Sequence, residues 1–579
     1  MDRRTVWAIL LMMVIAVAPA LFITRGASDR RADGPTGSDS VAAAAPATSS
    51  ARSAAPAAPR ADTLPVSPSA RQSGVDTVHV TSPLYTYGIS TVGARLVEAR
   101  LERYESMAEG DSARREAEIL PEGSELLGLT LVVGRDTVPL HDWQFTPSAE
   151  RLSVSERPAS LKLTASRGGL GVELTYTFPP DGYQVDVSGR VSGVGPNGGL
   201  LLIGMGPTLA NTEVDVEENQ RELALVTMRD ETERTSLADL EGGEVRTLSG
   251  PFDWTALKSK YFVTGLIAAD SSGGRISGVT AAAPAGTGDD PTSARIRVAL
   301  PIPASGAFQY TLYAGPMEYD RLARIGHEFD DVNPYGWPGF RTVIRIFAVP
   351  VRWLLVAMHE HLHLAYGLVL VVFGILIRLV LWPLNQKAMR ANMKLQEVQP
   401  LMKEIQERHR EDPPRMQQEM FKLYKEHSVN PLGGCWPMLL PMPVLFALFF
   451  VFQNAIELRG ASFLWIPDLS RPDPLYIIPL LMGVSMYWLT KVGQMGMEAN
   501  PQMKMMLYMM PVMMTVMFLF FPSGLNLYYT VSNVASIPQQ WLLARERQKR
   551  SARQIVELKT APEAMPTKHL AGKQRKRKA

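Results

Sequence analysis

The side chain most at odds with its surroundings is Arg378, the one charged residue in an apolar run over 364–382. The run is long enough to cross a bilayer, where a central arginine costs about 2.5–3.5 kcal/mol on insertion scales and by default marks a functional site. The later apolar segments contain no Asp or Glu that could pair with it. We therefore expect water or a ligand beside Arg378; the alternative is that its side chain snorkels to the lipid headgroups.

A second chemical pattern is His359-Glu360-His361-Leu362-His363, which matches the zinc-binding motif HExxH. On a continuous helix, His359 and His363 share one face as zinc ligands and Glu360 serves as general base. The hypothesis is an intramembrane zinc metalloprotease, with Asp468 as the nearest candidate for a third ligand. The alternative is a polar stretch where a helix on the membrane surface meets a span.

The composition argues against several other classes. Among 579 residues there is one cysteine, Cys435, so neither an internal disulfide nor a CxxC site is possible. The sequence contains no phosphate-binding loop, dinucleotide fingerprint or nucleophile elbow. Nothing in these patterns suggests nucleotide hydrolysis. Apart from the zinc alternative above, we expect no catalytic residues, no cofactor and no bound metal, and a protein that is not an enzyme.

The amino-terminal part predicts an anchor followed by a tether. Residues 5–23 are apolar and follow Arg3 and Arg4, so residues 1–24 are expected to form a transmembrane anchor with its amino end in the cytoplasm. Ala18-Pro19-Ala20 would suit a cleaved signal peptide, but the apolar run continues past it. Residues 25–75 are rich in Ala, Pro, Ser and Gly and indicate a disordered linker.

Residues 76–337 predict a β-rich domain. Alternating runs such as 172–178 and 183–191 are separated by turn signals such as Pro179-Pro180-Asp181-Gly182. We expect a β-sandwich of two antiparallel sheets, which lies in the periplasm if the anchor starts inside.

Residues 338–363 predict an interfacial amphipathic helix, broken at Pro350, whose arginines contact headgroups. The arginine-bearing span is predicted over 364–384. Residues 385–430 are polar and predict a cytoplasmic helical hairpin, with a break at Asp412-Pro413-Pro414.

Four further apolar segments lie within 433–542, namely 433–452, 475–489, 505–521 and 524–542. With the anchor and the span over 364–384 they give six spans, which place both chain ends in the cytoplasm. The basic tail, 543–579, can bind phosphate groups of RNA or lipid headgroups, but nothing in it predicts reading of a specific nucleic-acid sequence. The fold class is thus a multi-domain membrane protein.

Several blocks of the sequence resemble one family. They are Leu312-Tyr313-Ala314-Gly315-Pro316, Asn430-Pro431-Leu432-Gly433-Gly434-Cys435, Asp473-Pro474 and Phe521-Pro522-Ser523-Gly524-Leu525 with Leu527-Tyr528-Tyr529. The chain resembles the Oxa/YidC/Alb insertases, in the form with a large periplasmic domain. This resemblance implies an inner-membrane insertase and chaperone with a five-helix transmembrane core around a hydrophilic groove. The implied partners are nascent membrane proteins, the Sec translocon, the ribosome (through the cytoplasmic loops and tail) and membrane lipids.

The resemblance also implies which residues form the site. The substrate groove is expected to contain Arg378, Tyr528, Tyr529, Gly374, Pro441 and Asn533. A hydrophobic slide is expected from Leu445, Phe446, Phe449, Met506, Met509, Met510 and Met513. Gly374 and Pro441 stand where related chains carry polar residues, which leaves more of the work to Arg378 and the tyrosines. A third hypothesis, a polysaccharide-binding periplasmic module, leaves the six spans and the basic tail unexplained.

Overall fold

The computed structural model describes residues 76–108, 115–269, 274–285, 292–336, 339–427, 442–496 and 501–560. It divides into two compact units, a β unit up to Gly315 and a helical unit from Pro316 onward, to which Tyr261–Val263 also belong. The predicted anchor, the predicted linker and the end of the basic tail lie outside the described residues. The β-rich first part and the helical second part agree with the predicted order of domains.

The described part of the β unit contains twenty strands and one α-helix, α1 (Val216–Glu222). The strands are β1 (Thr77–Thr81), β2 (Tyr85–Ser90), β3 (Leu96–Glu105), β4 (Glu116–Glu118), β5 (Leu129–Val133), β6 (Asp136–Pro139), β7 (Thr146–Pro147), β8 (Arg151–Ser153), β9 (Ala159–Arg167), β10 (Leu170–Phe178), β11 (Gln184–Ser192), β12 (Gly199–Gly204), β13 (Ala224–Met228), β14 (Thr232–Ser236), β15 (Val245–Phe252), β16 (Trp254–Lys258), β17 (Phe262–Ala268), β18 (Ile276–Ala282), β19 (Arg295–Ile302) and β20 (Ala307–Pro316).

These strands form three sheets, so the expectation of two sheets was wrong. Their orders are β4-β3-β2-β1-β8, β14-β13-β16-β17-β20-β11-β10-β9-β7 and β15-β18-β19-β12-β5-β6. The expectation of antiparallel pairing also fails at one place, because β1 pairs with β8 in parallel, with His79 opposite Arg151. Alternation along a strand predicts its buried face but not its partner, which is chosen by packing between distant segments.

The alternating runs themselves were predicted well. In β10 the buried side chains are Val172, Leu174, Tyr176 and Phe178, while their neighbours are more exposed. β10 pairs antiparallel with β9 on one side and β11 on the other. The period of two therefore places one face of this hairpin in the core.

A partly buried ion pair connects α1 to the sheet. The Nζ of Lys258 donates to the Oε2 of Glu222 at 3.0 Å, and the Nη2 of Arg234 donates to the same oxygen at 3.1 Å. Burial lowers the pKa of Lys258 to about 8, an effect that the charge of Glu222 partly offsets. Burial alone would raise the pKa of Glu222, but the charges of Lys258 and Arg234 outweigh it and hold that pKa well below its usual value.

The described part of the helical unit contains nine α-helices. They are α2 (Tyr319–Ile325), α3 (Arg341–Leu362), α4 (Tyr366–Glu397), α5 (Gln399–Arg408), α6 (Pro413–Glu426), α7 (Met442–Asn454), α8 (Ile477–Gly493), α9 (Pro501–Phe518) and α10 (Ser523–Thr560). Within this unit α3 packs on α7, α4 packs on α10, and α8 packs on both α9 and α10.

The helix at 338–363 differs from the prediction in two ways. α3 is continuous through Pro350. Proline removes one backbone hydrogen bond, and the neighbouring hydrogen bonds of the helix are sufficient to maintain it. Its arginines were expected to contact headgroups, but Arg345 and Arg352 instead pair with carboxylates of the helical unit. Those partners are distant in the sequence or lie before the helix, so the pattern of α3 itself could not reveal them.

Two helices, α5 and α6, occupy much of the region 385–430 for which a hairpin was predicted. α4 continues without interruption to Glu397, well past the predicted end of its span at 384. α5 and α6 pack through Val398, Leu423 and their apolar neighbours. At the predicted break, the side chain of Asp412 accepts a hydrogen bond from the backbone N–H of Arg415 at 3.2 Å and caps α6.

Two described helices are long and apolar enough to cross a membrane by length and composition, Arg341–Leu362 and Tyr366–Lys387. The first is the helix that was predicted to be interfacial. Shorter apolar helices are Val444–Asn454, Ile477–Gly493 and Met503–Phe518. The predicted span over 433–452 is described only from Met442, so the full set of six spans stays a prediction.

Candidate functional site

Arg378 lies on α4 and faces α10. Its Nε donates a hydrogen bond to the Oγ of Ser532 at 2.7 Å. Ser532 is buried, and Arg378 is partly buried. Among the described residues Arg378 has no carboxylate partner. Its charge is therefore stabilised there by neutral polar groups and is not neutralised.

The two predicted groove tyrosines lie beside this arginine on α10. Tyr528 is buried and packs on Phe373 of α4, with ring centroids 5.8 Å apart. Both tyrosines are close enough to Arg378 for an electrostatic interaction. The hydroxyl of Tyr529 is buried and has no hydrogen-bond partner among the described residues. A buried hydroxyl without a partner is costly, so this position favours a polar guest such as water or substrate.

Gly374 allows the close approach of α4 and α10. A Cβ built on it would lie 3.2 Å from the Cγ1 of Val531 and 3.6 Å from the Cδ2 of Tyr528. A larger side chain would therefore push against the face that holds Tyr528. Gly374, which stands where related chains are expected to carry a polar residue, thus has a packing role.

Gly374→Val is expected to destabilise the helical unit by about 1–3 kcal/mol through overpacking, and Gly374→Ala by less. The insertase activity that the resemblance implies should fall as well, because Tyr528 is displaced from Arg378. Thermal unfolding in detergent and a protease-protection assay for insertion measure the two effects. Leu379→Val, at an exposed position of α4, is the matched control. A Gly374→Val protein with wild-type stability and activity would contradict this packing role.

Other polar residues of α10 point to different neighbours. Asn533, predicted for the groove, donates from Nδ2 to the Oγ of Ser485 on α8 at 3.1 Å. Gln539, which was not predicted, donates from Nε2 to the backbone oxygen of Trp382 on α4 at 3.0 Å. Pro441 lies outside the described residues. The structure therefore brings together Arg378, Tyr528, Tyr529 and Gly374, and it places Asn533 at the contact with α8.

Sequence reasoning missed Ser532, the direct partner of Arg378. A signal was present, because Ser532 follows Tyr528 by four residues and so lies on the same helical face. Serine is common enough in helices that spacing alone did not single it out.

The predicted slide residues lie on two helices. Leu445, Phe446 and Phe449 are partly buried on α7, where the ring of Phe449 packs on Phe521 at 5.7 Å. On α9, Met506, Met509 and Met513 are exposed and Met510 is partly buried. Both groups present apolar surface, as a slide requires, but their role in function stays a prediction.

The zinc hypothesis fails on geometry. α3 ends at Leu362, and His363 adopts a left-handed conformation with φ 52° and ψ 32°, so it does not continue the helical face of His359. The Nδ1 of His359 donates to the backbone oxygen of Leu364 at 2.7 Å, and its ring stacks on Tyr366. Within the described ranges, no group of three or more His, Cys, Asp or Glu side chains could hold a metal ion. Asp468 is instead buried, and its Oδ1 accepts hydrogen bonds from the backbone N–H and the hydroxyl of Ser470.

Known proteins match both units. A family described as the 60Kd inner membrane protein matches residues 357–551, and one described as the YidC periplasmic domain matches residues 77–354. The membrane protein insertase YidC of Cupriavidus metallidurans is 34% identical over 72% of this chain and 74% of its own length. That of Chlorobaculum tepidum is 29% identical over 93% of this chain and 94% of its own length. A crystal structure of an active YidC insertase, with its first transmembrane domain resolved, has 16% identity and a TM-score of 0.31 over 81% of this chain and 94% of that one.

The two family descriptions give the class: an inner-membrane protein with a periplasmic domain, which agrees with a β-rich unit followed by apolar helices. The chain belongs to the YidC family of membrane protein insertases, since relatives above 30% identity match it over more than two thirds of their length.

Proposed function

We propose that this insertase acts through the polar site at Arg378, which receives the acidic or polar outer segment of a nascent inner-membrane protein. The observation that supports it is the state of Arg378: it is held by one hydroxyl, that of Ser532, and has no carboxylate partner among the described residues. A cation in this state attracts an anionic guest. The passing substrate then supplies the charge that the protein lacks.

The energetics follow from desolvation. A carboxylate in hydrocarbon is very costly unless it is paired and hydrogen-bonded. Arg378 and the tyrosine hydroxyls shorten the distance over which the outer segment has no polar partner. Burial of the substrate's apolar segment in lipid drives the step, so no nucleotide site is required.

The apolar segment leaves along α7 and α9 in this proposal. Their slide residues, Phe449 on α7 and Met509 on α9 among them, present flexible or aromatic surface. Methionine adapts to differently shaped apolar partners, which suits an insertase with many substrates.

The remaining parts of the proposal concern partners and topology. The chain works alone or with the Sec translocon, as a chaperone for folding of inserted proteins. The helices α5 and α6, with the basic tail, contact the ribosome, and the apolar helices contact membrane lipids. Six spans place both ends in the cytoplasm and the β unit in the periplasm.

Site-specific cross-linking to a stalled nascent chain tests the proposal. A photoreactive residue at Leu381, one turn from Arg378, is expected to capture the acidic outer segment. The same residue at Leu379, which is exposed on another face of α4, is the control and is expected to capture lipid. Arg378→Ala should weaken the cross-link at 381. Equal cross-linking at both positions, unchanged by Arg378→Ala, would refute the site.

A further inference from the structure

A second arginine of the helical unit differs from Arg378 in its partners. Arg352 lies midway along α3, and its side chain is only 5% exposed. Its Nη2 donates to the Oε1 of Glu457, and its Nη1 lies 3.1 Å from the Oδ1 of Asp320. The guanidinium also stands 5.2 Å from the ring centre of Tyr319. Arg352 is therefore neutralised within the protein and is not available to a substrate.

The main partner, Glu457, lies directly after the carboxyl end of α7. It lies in a 3₁₀ turn, Ile456–Leu458, that follows α7 almost directly, and both flanking residues are buried. The turn is joined to the last turn of α7 by a hydrogen bond from the backbone N–H of Ala455 to the oxygen of Val451, at 2.9 Å. The position of Glu457 thus determines where the carboxyl end of α7 lies against α3.

A nearby arginine provides a contrast. Arg345, also on α3, pairs with Asp330 at 2.6 Å and with Asp331 at 3.1 Å. Both aspartates belong to the 3₁₀ turn Phe329–Val332, which precedes α3. Arg345 therefore fastens α3 to the segment before it, whereas Arg352 connects α3 to α7.

The chemistry of the pair indicates positioning rather than stability. Replacement of a buried ion pair by apolar side chains of similar volume often leaves stability unchanged or improves it. A charge-assisted hydrogen bond between guanidinium and carboxylate, in contrast, has a defined direction and geometry. Apolar residues could hold α3 and α7 together, but they would not fix the rotation of one against the other.

We propose that Arg352 and Glu457 are positioning residues for insertion, which hold the carboxyl end of α7 so that Phe446 and Phe449 face the departing substrate segment. This inference rests on the function proposed above, since it requires that the segment passes along α7. It adds two residues on other elements than Arg378, which set the path without touching the substrate.

The test uses the full chain and the double variant Arg352→Met with Glu457→Leu, which avoids leaving one charge buried alone. Photoreactive residues at 446 and at 381 report contact with a stalled nascent chain. We expect the double variant to accumulate normally and to keep the cross-link at 381, while the cross-link at 446 falls severalfold. The double variant Arg345→Met with Asp330→Asn is the matched control, because it also avoids leaving Asp330 charged and unpaired and does not disturb the contact with α7; it should keep both cross-links.

The single variant Arg352→Lys keeps the positive charge opposite Glu457. It should therefore show much more cross-linking at 446 than the double variant does. A purely structural role would lower protein amount and both cross-links together. An unchanged cross-link at 446 in the double variant, with that at 381 present, would overturn the positioning role. Absence of the cross-link at 381 in the otherwise wild-type protein would instead overturn the proposed function itself.

Discussion

The triple variant Arg378→Ala, Tyr528→Phe, Tyr529→Phe is expected to lose insertion of a substrate that carries an acidic outer segment. The variant keeps the packing of α4 and α10 but removes the cation and both hydroxyls from the site. Hydrogen bonds to charged groups contribute about 1.5–3 kcal/mol each. One such contact corresponds to a rate loss of about tenfold or more, since 1.4 kcal/mol is a factor of ten. Protease protection of the outer segment measures the insertion rate.

The single variants separate the contributions. Arg378→Ala should slow the acidic substrate more than one with a neutral outer segment, because the attraction is electrostatic. Tyr529→Phe alone should leave the stability of the helical unit unchanged or slightly raised, because the hydroxyl it removes has no partner among the described residues, and it should slow insertion of the acidic substrate less than Arg378→Ala. Tyr508→Phe, at an exposed position of α9, is the control for loss of a tyrosine hydroxyl. Normal insertion of the acidic substrate by the triple variant would exclude a role for this site.

Lys258→Met is expected to destabilise the β unit by about 1.5–3 kcal/mol, because it removes one of the two cations that pair with the partly buried Glu222 and leaves only Arg234. The Lys258 side chain is 1% exposed, whereas the matched lysine, Lys162, is 49% exposed and pairs with Glu173 at 2.8 Å. Lys162→Met should change stability by less than about 1 kcal/mol, as is usual for surface pairs. Urea unfolding followed by protease sensitivity of the β unit measures both.

The same pair predicts a pH dependence. The pKa of Glu222 in the folded chain lies below its usual value of 4.5, so the unfolded chain binds more protons in the acid range. The stabilisation by Glu222 is therefore fully present above about pH 4.5 and is lost as the pH falls below it. Lys258→Met should flatten this dependence. A wild-type β unit with constant stability through the acid range would contradict the pair's contribution.

The failure of the zinc hypothesis shows how a local pattern depends on its element. HExxH needs both histidines on one face of a continuous helix. The four-residue spacing of His359 and His363 fits that requirement, but spacing does not show that the helix is continuous. α3 ends between them, and the ring of His359 turns to the backbone of Leu364. Helix ends are set by capping and by the path of the following chain, which a five-residue motif does not contain.

The arginines make the same point about partners. Arg352 and Arg378 look alike in sequence, since each is a charge among apolar residues. Glu457 lies 105 positions from Arg352, and Ser532 lies 154 positions from Arg378. Periodicity along one helix contains no information on which of these distant side chains reaches it.

By itself the sequence determined the β-rich and helical parts, the alternating faces of strands such as β10, the unusual charge at Arg378 and the resemblance to the insertase family. These are properties of local composition, periodicity and ordered motifs, which act over a few residues to a few tens of residues. The tertiary structure alone decided that the strands form three sheets and that Arg352 is neutralised by Glu457, whereas Arg378 bonds to Ser532 and meets no carboxylate in the described part of the chain. Pairing across such distances depends on packing and desolvation of the whole unit, because a buried charge finds whichever partner the fold brings within reach.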